Sequence, residues 1–136
     1  MVNVDFNLTG IDRISFAAED LDAACQYAAD WGLSEARGAE GAKLFETIDG
    51  SEVEFFKPDS KKPRRTAIGD VSGICEVTWG VRSESDLKRL QTALSEDREA
   101  TFGQDGTLRS VDDLGIGIAF RVSRRKHSQF EPSRYN

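Results

Sequence analysis

Few side chains in this chain of 136 residues could do chemistry. They include one histidine, His127, two cysteines, Cys25 and Cys75, and charged residues set into strand-like runs, Arg13 and Glu76 among them. A histidine can ligate a metal or move a proton, but His127 stands alone in a stretch without periodicity and reads as a surface residue. Two thiols are too few for a disulfide framework. Both lie inside apolar patterns and read as buried thiols of a reducing, cytoplasmic protein. Arginines and glutamates on one surface can neutralise one another, or an arginine can fork onto an anionic ligand.

The elements that must position these residues follow from periodicity. Residues 11–18 alternate, with Ile14, Phe16 and Ala18 on one face and Arg13, Ser15 and Ala17 on the other, which predicts a strand. Asp20 is placed to cap a helix whose inward stripe is Leu21, Ala24, Cys25 and Ala28, with Gly32 as its stop. LSEARG and AKLFETI follow as strand candidates, and Asp49-Gly50 signals a hairpin into SEVEFFKP. Residues 58–72 are polar and basic, with proline and glycine, and read as a linker.

The same order then recurs. GICEVTWGV alternates, with Cys75, Val77, Trp79 and Val81 opposite Glu76 and Thr78. Ser83 and Asp86 form a cap signature before the stripe Leu87, Leu90, Leu94. Asp105-Gly106 separates two strand-like runs, and GIGIAFRVS closes the unit with Ile116, Ile118, Phe120 and Val122 on its apolar face. Aligning Gly10 with Gly73 sets Arg13 on Glu76 and Phe16 on Trp79. Aligning Gly50 with Gly115 sets Glu54 on Ala119. Phe16 and Trp79 thus take matching helix-facing positions, and both are expected to be buried. A repeat of one supersecondary unit predicts two modules whose polar faces line a shared concave cleft. The expected fold is α+β: one domain over residues 1–123, with βαβββ modules at 9–57 and 73–123. Residues 124–136 would form a tail or an interdomain linker cut short.

A formal net charge of −6 disfavours nucleic acid as a partner. The basic runs KKPRR and SRRK fall in the linker and tail, where they read as solvated. No apolar run is long enough to cross a membrane, and the N-terminus lacks the pattern of a secretory signal.

IDRISFAAEDLDAACQYAADWGL resembles the opening of a module of the vicinal oxygen chelate superfamily, which includes glyoxalases, bleomycin-resistance proteins and extradiol ring-cleaving dioxygenases. GICEVTWGVRSESDLKRL resembles the opening of its second module, and VDDLGIGIAF its closing strand. The resemblance covers roughly residues 9–123. It implies a divalent metal held by the first and fourth strands of each module. The matching positions here are Arg13, Glu54, Glu76 and Ala119. Arginine has no lone pair to offer a cation, and alanine offers nothing, so these positions make a poor metal site, with only Glu54 and Glu76, helped by waters, left to hold an ion. Arg121, two residues after Ala119, shares its face. The cleft would then hold an ion-pair network among these residues, or a site for a small anionic or aromatic ligand built on Arg13, Glu54, Glu76 and Arg121.

The resemblance is nearest to the metal-free N-terminal domain of type I extradiol dioxygenases, enzymes of aromatic catabolism. On that reading the chain has a structural role beside a catalytic domain carrying Fe²⁺. The alternatives are a stand-alone small-molecule binding protein of the glyoxalase and bleomycin-resistance kind, and a metal-dependent lyase or isomerase completed by a dimer partner. A homo-oligomer or a second domain is expected as the partner in each case.

Overall fold

A computed structural model describes residues 7–58 and 72–126. Most of the expected linker, residues 59–71, and the tail from His127 onward lie outside the described residues. The first half runs β1 (Leu8–Ala17), α1 (Leu21–Asp30), β2 (Ser34–Ala36), β3 (Ala42–Glu46) and β4 (Glu52–Phe56). The second repeats the order as β5 (Gly73–Val81), α2 (Glu84–Leu94), β6 (Thr101–Phe102), β7 (Leu108–Val111) and β8 (Gly117–Val122). The result is α+β, with two βαβββ modules sharing one mixed eight-stranded sheet of order β2-β3-β4-β1-β5-β8-β7-β6.

The sheet is symmetric about its centre. β1 and β5 pair antiparallel across the module boundary, and each pairs parallel with the last strand of its own module. The correspondence between the halves is repeated in the backbone. Gly10 and Gly73 have φ of 128° and 138°, and Gly50 and Gly115 have 84° and 85°. Positive φ is a conformation that glycine adopts without a Cβ clash.

Local chemistry sets the element boundaries. The Asp20 carboxylate accepts the Ala23 N–H at 2.9 Å and starts α1. The helix ends in a paired turn, with Leu33 N–H bonded to Ala28 C=O and Gly32 N–H to Ala29 C=O. Ser83 accepts the Asp86 N–H at the start of α2, and the Asp86 carboxylate accepts the Ser83 hydroxyl in return.

The main core lies in the second module, where Val81, Leu87, Leu90, Ala100, Leu108 and Phe120 are buried together, with Trp79, Leu94 and Ile118 packed against them. In the first module Phe55 lies between Phe16 and Phe45, at ring distances of 5.8 and 6.1 Å. Phe16 and Trp79 are half-buried rather than fully buried, as are Ile14 and Ala18. The reason in the first module is the α1 stripe. Apart from Leu21 its residues are short, and Ala28 is its one fully buried member. Such a helix covers little of the sheet beneath it. Cys75 is buried as expected, but Cys25 is half-buried.

Candidate functional site

The register places the four candidate ligand positions on the sheet face away from the helices. Arg13 pairs with Glu52 on β4 and Thr78 on β5. Thr78 continues the row to Ala119, and Ala119 to Arg109. One step along the strands, Ser15 sits between Glu54 and Glu76. Neighbouring strand residues in register share a face. Arg13, Glu54, Glu76 and Ala119 therefore line one surface, and Arg121 joins them opposite Gly80.

A register shift in β1 adds a residue that alternation hides. Ile11 pairs with Trp79 and Arg13 with Thr78, which leaves Asp12 as the extra residue of a bulge. Strict alternation would point Asp12 toward the helices. The bulge turns it to the cleft, where it is fully buried. Its carboxylate accepts from Arg121 Nε at 3.2 Å, Ser123 Oγ at 2.8 Å, the Arg124 N–H at 2.9 Å and Arg125 Nε at 3.1 Å. Burial alone would push the Asp12 carboxyl up. The Arg124 N–H, the Ser123 hydroxyl and the Arg121 guanidinium outweigh it and hold the group below its ordinary value.

Glu52 is the second hub. Its Oε2 accepts from Arg13 Nε at 2.6 Å, with Arg13 NH2 at 2.5 Å. Arg121 NH2 lies 3.1 Å from the same oxygen, but too poorly aligned for a hydrogen bond. Arg13 NH1 reaches Glu54 at 3.6 Å. Glu76 faces Arg109 at 3.6 Å, and Arg109 also holds Asp105. Burial would lower the Arg109 pKa, but Asp105, Glu76 and Glu54 raise it above its usual value. Burial likewise opposes Asp105, whose carboxyl is nonetheless held at about 2 by Arg109 and the Thr107 N–H.

The structure thus brings Arg13 and Glu54 together, and Arg13 and Arg121 through Glu52. It keeps Glu76 with Arg109 instead. Four members of the network were absent from the sequence reading. Glu52 was legible, because it lies two residues before Glu54 on the same strand face. Arg109 is set across from Ala119 by the turn at Asp112–Gly115 between β7 and β8. Asp12 was hidden by the bulge, and Arg125 lies in what reads as a tail.

This donor set does not fit a divalent metal. The Arg13 guanidinium occupies the space between Glu52 and Glu54, Ala119 brings no donor, and Arg109 stands against Glu76. Among the described residues no three His, Cys, Asp or Glu side chains converge as a metal site would require. Ser15 Oγ, between the two glutamates, is buried and lacks a hydrogen-bond partner among the described residues.

No protein-family model matches the sequence. No curated protein matches it either. Solved structures do match. A variant of homoprotocatechuate 2,3-dioxygenase from Brevibacterium fuscum superposes with a TM-score of 0.69 at 16% identity, over 86% of this chain and 33% of that one. The same enzyme in complex with 3,4-dihydroxyphenylacetate gives 0.67 at 17% identity, over 90% and 39%. BphC, a halotolerant catechol dioxygenase, gives 0.72 at 11% identity, over 94% and 44%. The chain spans about a third of the length of the first of these proteins and under half of the last. At such identities the likeness concerns the fold alone, and this chain shares the vicinal oxygen chelate fold of these dioxygenases.

Proposed function

We propose that this chain is the metal-free domain of a protein resembling the extradiol ring-cleaving dioxygenases, with a structural role beside a catalytic domain. The observation that carries this reading is the occupation of the cleft by the chain's own charges. Arg13 and Arg121, the groups that could fork onto an anion, both lie against buried carboxylates of the same sheet face. Both guanidinium groups thus have carboxylate partners within the sheet. Iron, the catechol-type aromatic substrate and the place in aromatic catabolism then belong to the rest of such a protein. A second domain or a second copy would be the partner. No helix among the described residues is long and apolar enough to cross a membrane, which suits the cytoplasmic setting of this reading.

The test is elemental analysis of the purified chain together with calorimetric titration of 3,4-dihydroxyphenylacetate. The expected result is no stoichiometric iron, manganese or zinc and no saturable heat. About one metal per chain, lost on Glu54→Ala, would overturn the reading in favour of a metal-dependent enzyme. Saturable binding lost on Arg13→Met would favour a stand-alone binding protein.

A further inference from the structure

The segment that follows β8 runs back over the first module instead of leaving the sheet. Ser123 N–H donates to Val81 C=O at 2.9 Å, Arg124 N–H to the Asp12 carboxylate at 2.9 Å and Lys126 N–H to Asp49 C=O at 2.5 Å. These acceptors lie on β5, on β1 and in the turn between β3 and β4. Four residues therefore cross from one module to the far hairpin of the other. The Arg125 side chain reinforces the crossing, with Nε on Asp12 and its terminal nitrogen on Thr9 C=O.

The path is cleared by glycines. A Cβ on Gly80 would stand 2.5 Å from Asp12 Oδ1 and 2.9 Å from Ser123 Cβ. One on Gly10 would meet the Arg125 guanidinium at 2.8 Å, and one on Gly50 the Arg124 carbonyl at 3.2 Å. The Gly80 position admits no side chain, the Gly50 contact with the Arg124 backbone is tighter than most side-chain contacts, and the Gly10 contact is with the movable end of Arg125. Three glycines on three different elements thus make room for the same four residues.

We propose that residues 123–126 form a strap that fastens the second module onto the first, with Asp12 as its catch, and that the strap can open while the sheet stays folded. The bonds that hold it support a separate opening step. Three of the four donors on Asp12 come from the strap itself, whereas the sheet keeps its own ladder between β1 and β5. Asp12→Asn replaces one acceptor oxygen by a donor that faces other donors, so it releases the catch without removing bulk. A segment held by few buried apolar contacts opens locally at lower cost than the core.

The strap carries three consecutive trypsin sites, Arg124, Arg125 and Lys126, so its opening can be read by cleavage as well as by amide exchange. For Asp12→Asn we expect exchange at the Arg124 and Lys126 amides to quicken by at least about tenfold. Tryptic cleavage within 124–126 should quicken in step, while the β5 and β8 amides, which also lose what the drop in global stability takes, stay far slower to exchange than those of the strap. Arg125→Ala, which leaves Asp12 with Arg121, should give the same local pattern to a smaller degree. Unchanged exchange at Arg124 and Lys126 in both variants would overturn the proposal. So would strap amides that exchange no faster than those of β5 and β8, which would make the strap part of the global core. An Asp12→Asn chain that fails to fold, together with an Arg125→Ala chain whose strap stays fully protected, would overturn it as well.

Discussion

Removing one member of a buried ion cluster costs more than the cluster is worth, because the remaining charges stay buried without a counter-charge. Asp12 and Glu52 are the members for which that cost is largest. Asp12→Asn should cost about 3 kcal/mol at pH 7. The folded pKa of Asp12 is depressed, so its contribution is complete above the unfolded value of about 4 and fades as pH falls below it. The difference between wild type and Asp12→Asn should therefore be constant from pH 7 to 5 and narrow below about pH 4, as urea unfolding at each pH would record. A constant difference down to pH 2 would mean that the carboxylate charge is not what matters. Glu52 touches both cleft arginines, at 2.6 and 3.1 Å, whereas Glu54 meets Arg13 at 3.6 Å. Glu52→Gln should accordingly destabilise the protein by about 3 kcal/mol, and Glu54→Gln by less. The reverse order would place the hub on the wrong glutamate.

The two helices differ in what they contribute. The stripe of α2 meets the apolar core through Leu87 and Leu90, and Leu108 on β7 is fully buried beneath it. Leu108→Ala should cost about 3–5 kcal/mol. Leu21→Ala at the half-buried start of α1 should cost under about 1.5 kcal/mol, in keeping with partial burial. Thermal unfolding of both variants checks the contrast, and equal losses would mean that α1 covers its module as fully as α2 does. This asymmetry also marks the limit of reading the sequence. Alternation and caps located both helices and all eight strands, because Asp20, Ser83, Asp49-Gly50 and Asp105-Gly106 act through neighbours a few residues away. Burial was misjudged at Phe16 and Trp79 because it depends on how far α1 and α2 reach, which is a tertiary matter. The bulge at Asp12 leaves no local signature, and alternation alone would set this carboxylate on the helix face.

For the whole molecule, the repeat and the resemblance led to the right architecture, two modules around one sheet, since both rest on the order of elements and not on any single residue. The content of the cleft was only partly legible. Arg13, Glu54 and Arg121 share one face, and Glu52 follows from the same alternation, but Asp12 emerges only when the strands are in register. The central claim is that the site where the fold could hold a metal is filled by the chain's own charges, with Arg13 as the cation between two glutamates. Arg13→Met keeps the apolar stem and removes only the guanidinium, leaving Glu52 and Glu54, neighbours on one face of β4, without that cation. The most direct measurement is a pair of denaturant unfolding curves, wild type and Arg13→Met, at pH 7 without ligand or metal. The account predicts a loss of about 3 kcal/mol. Equal stability of the two proteins, or a gain for Arg13→Met, would contradict it and make Arg13 a group held ready for something the chain does not itself supply.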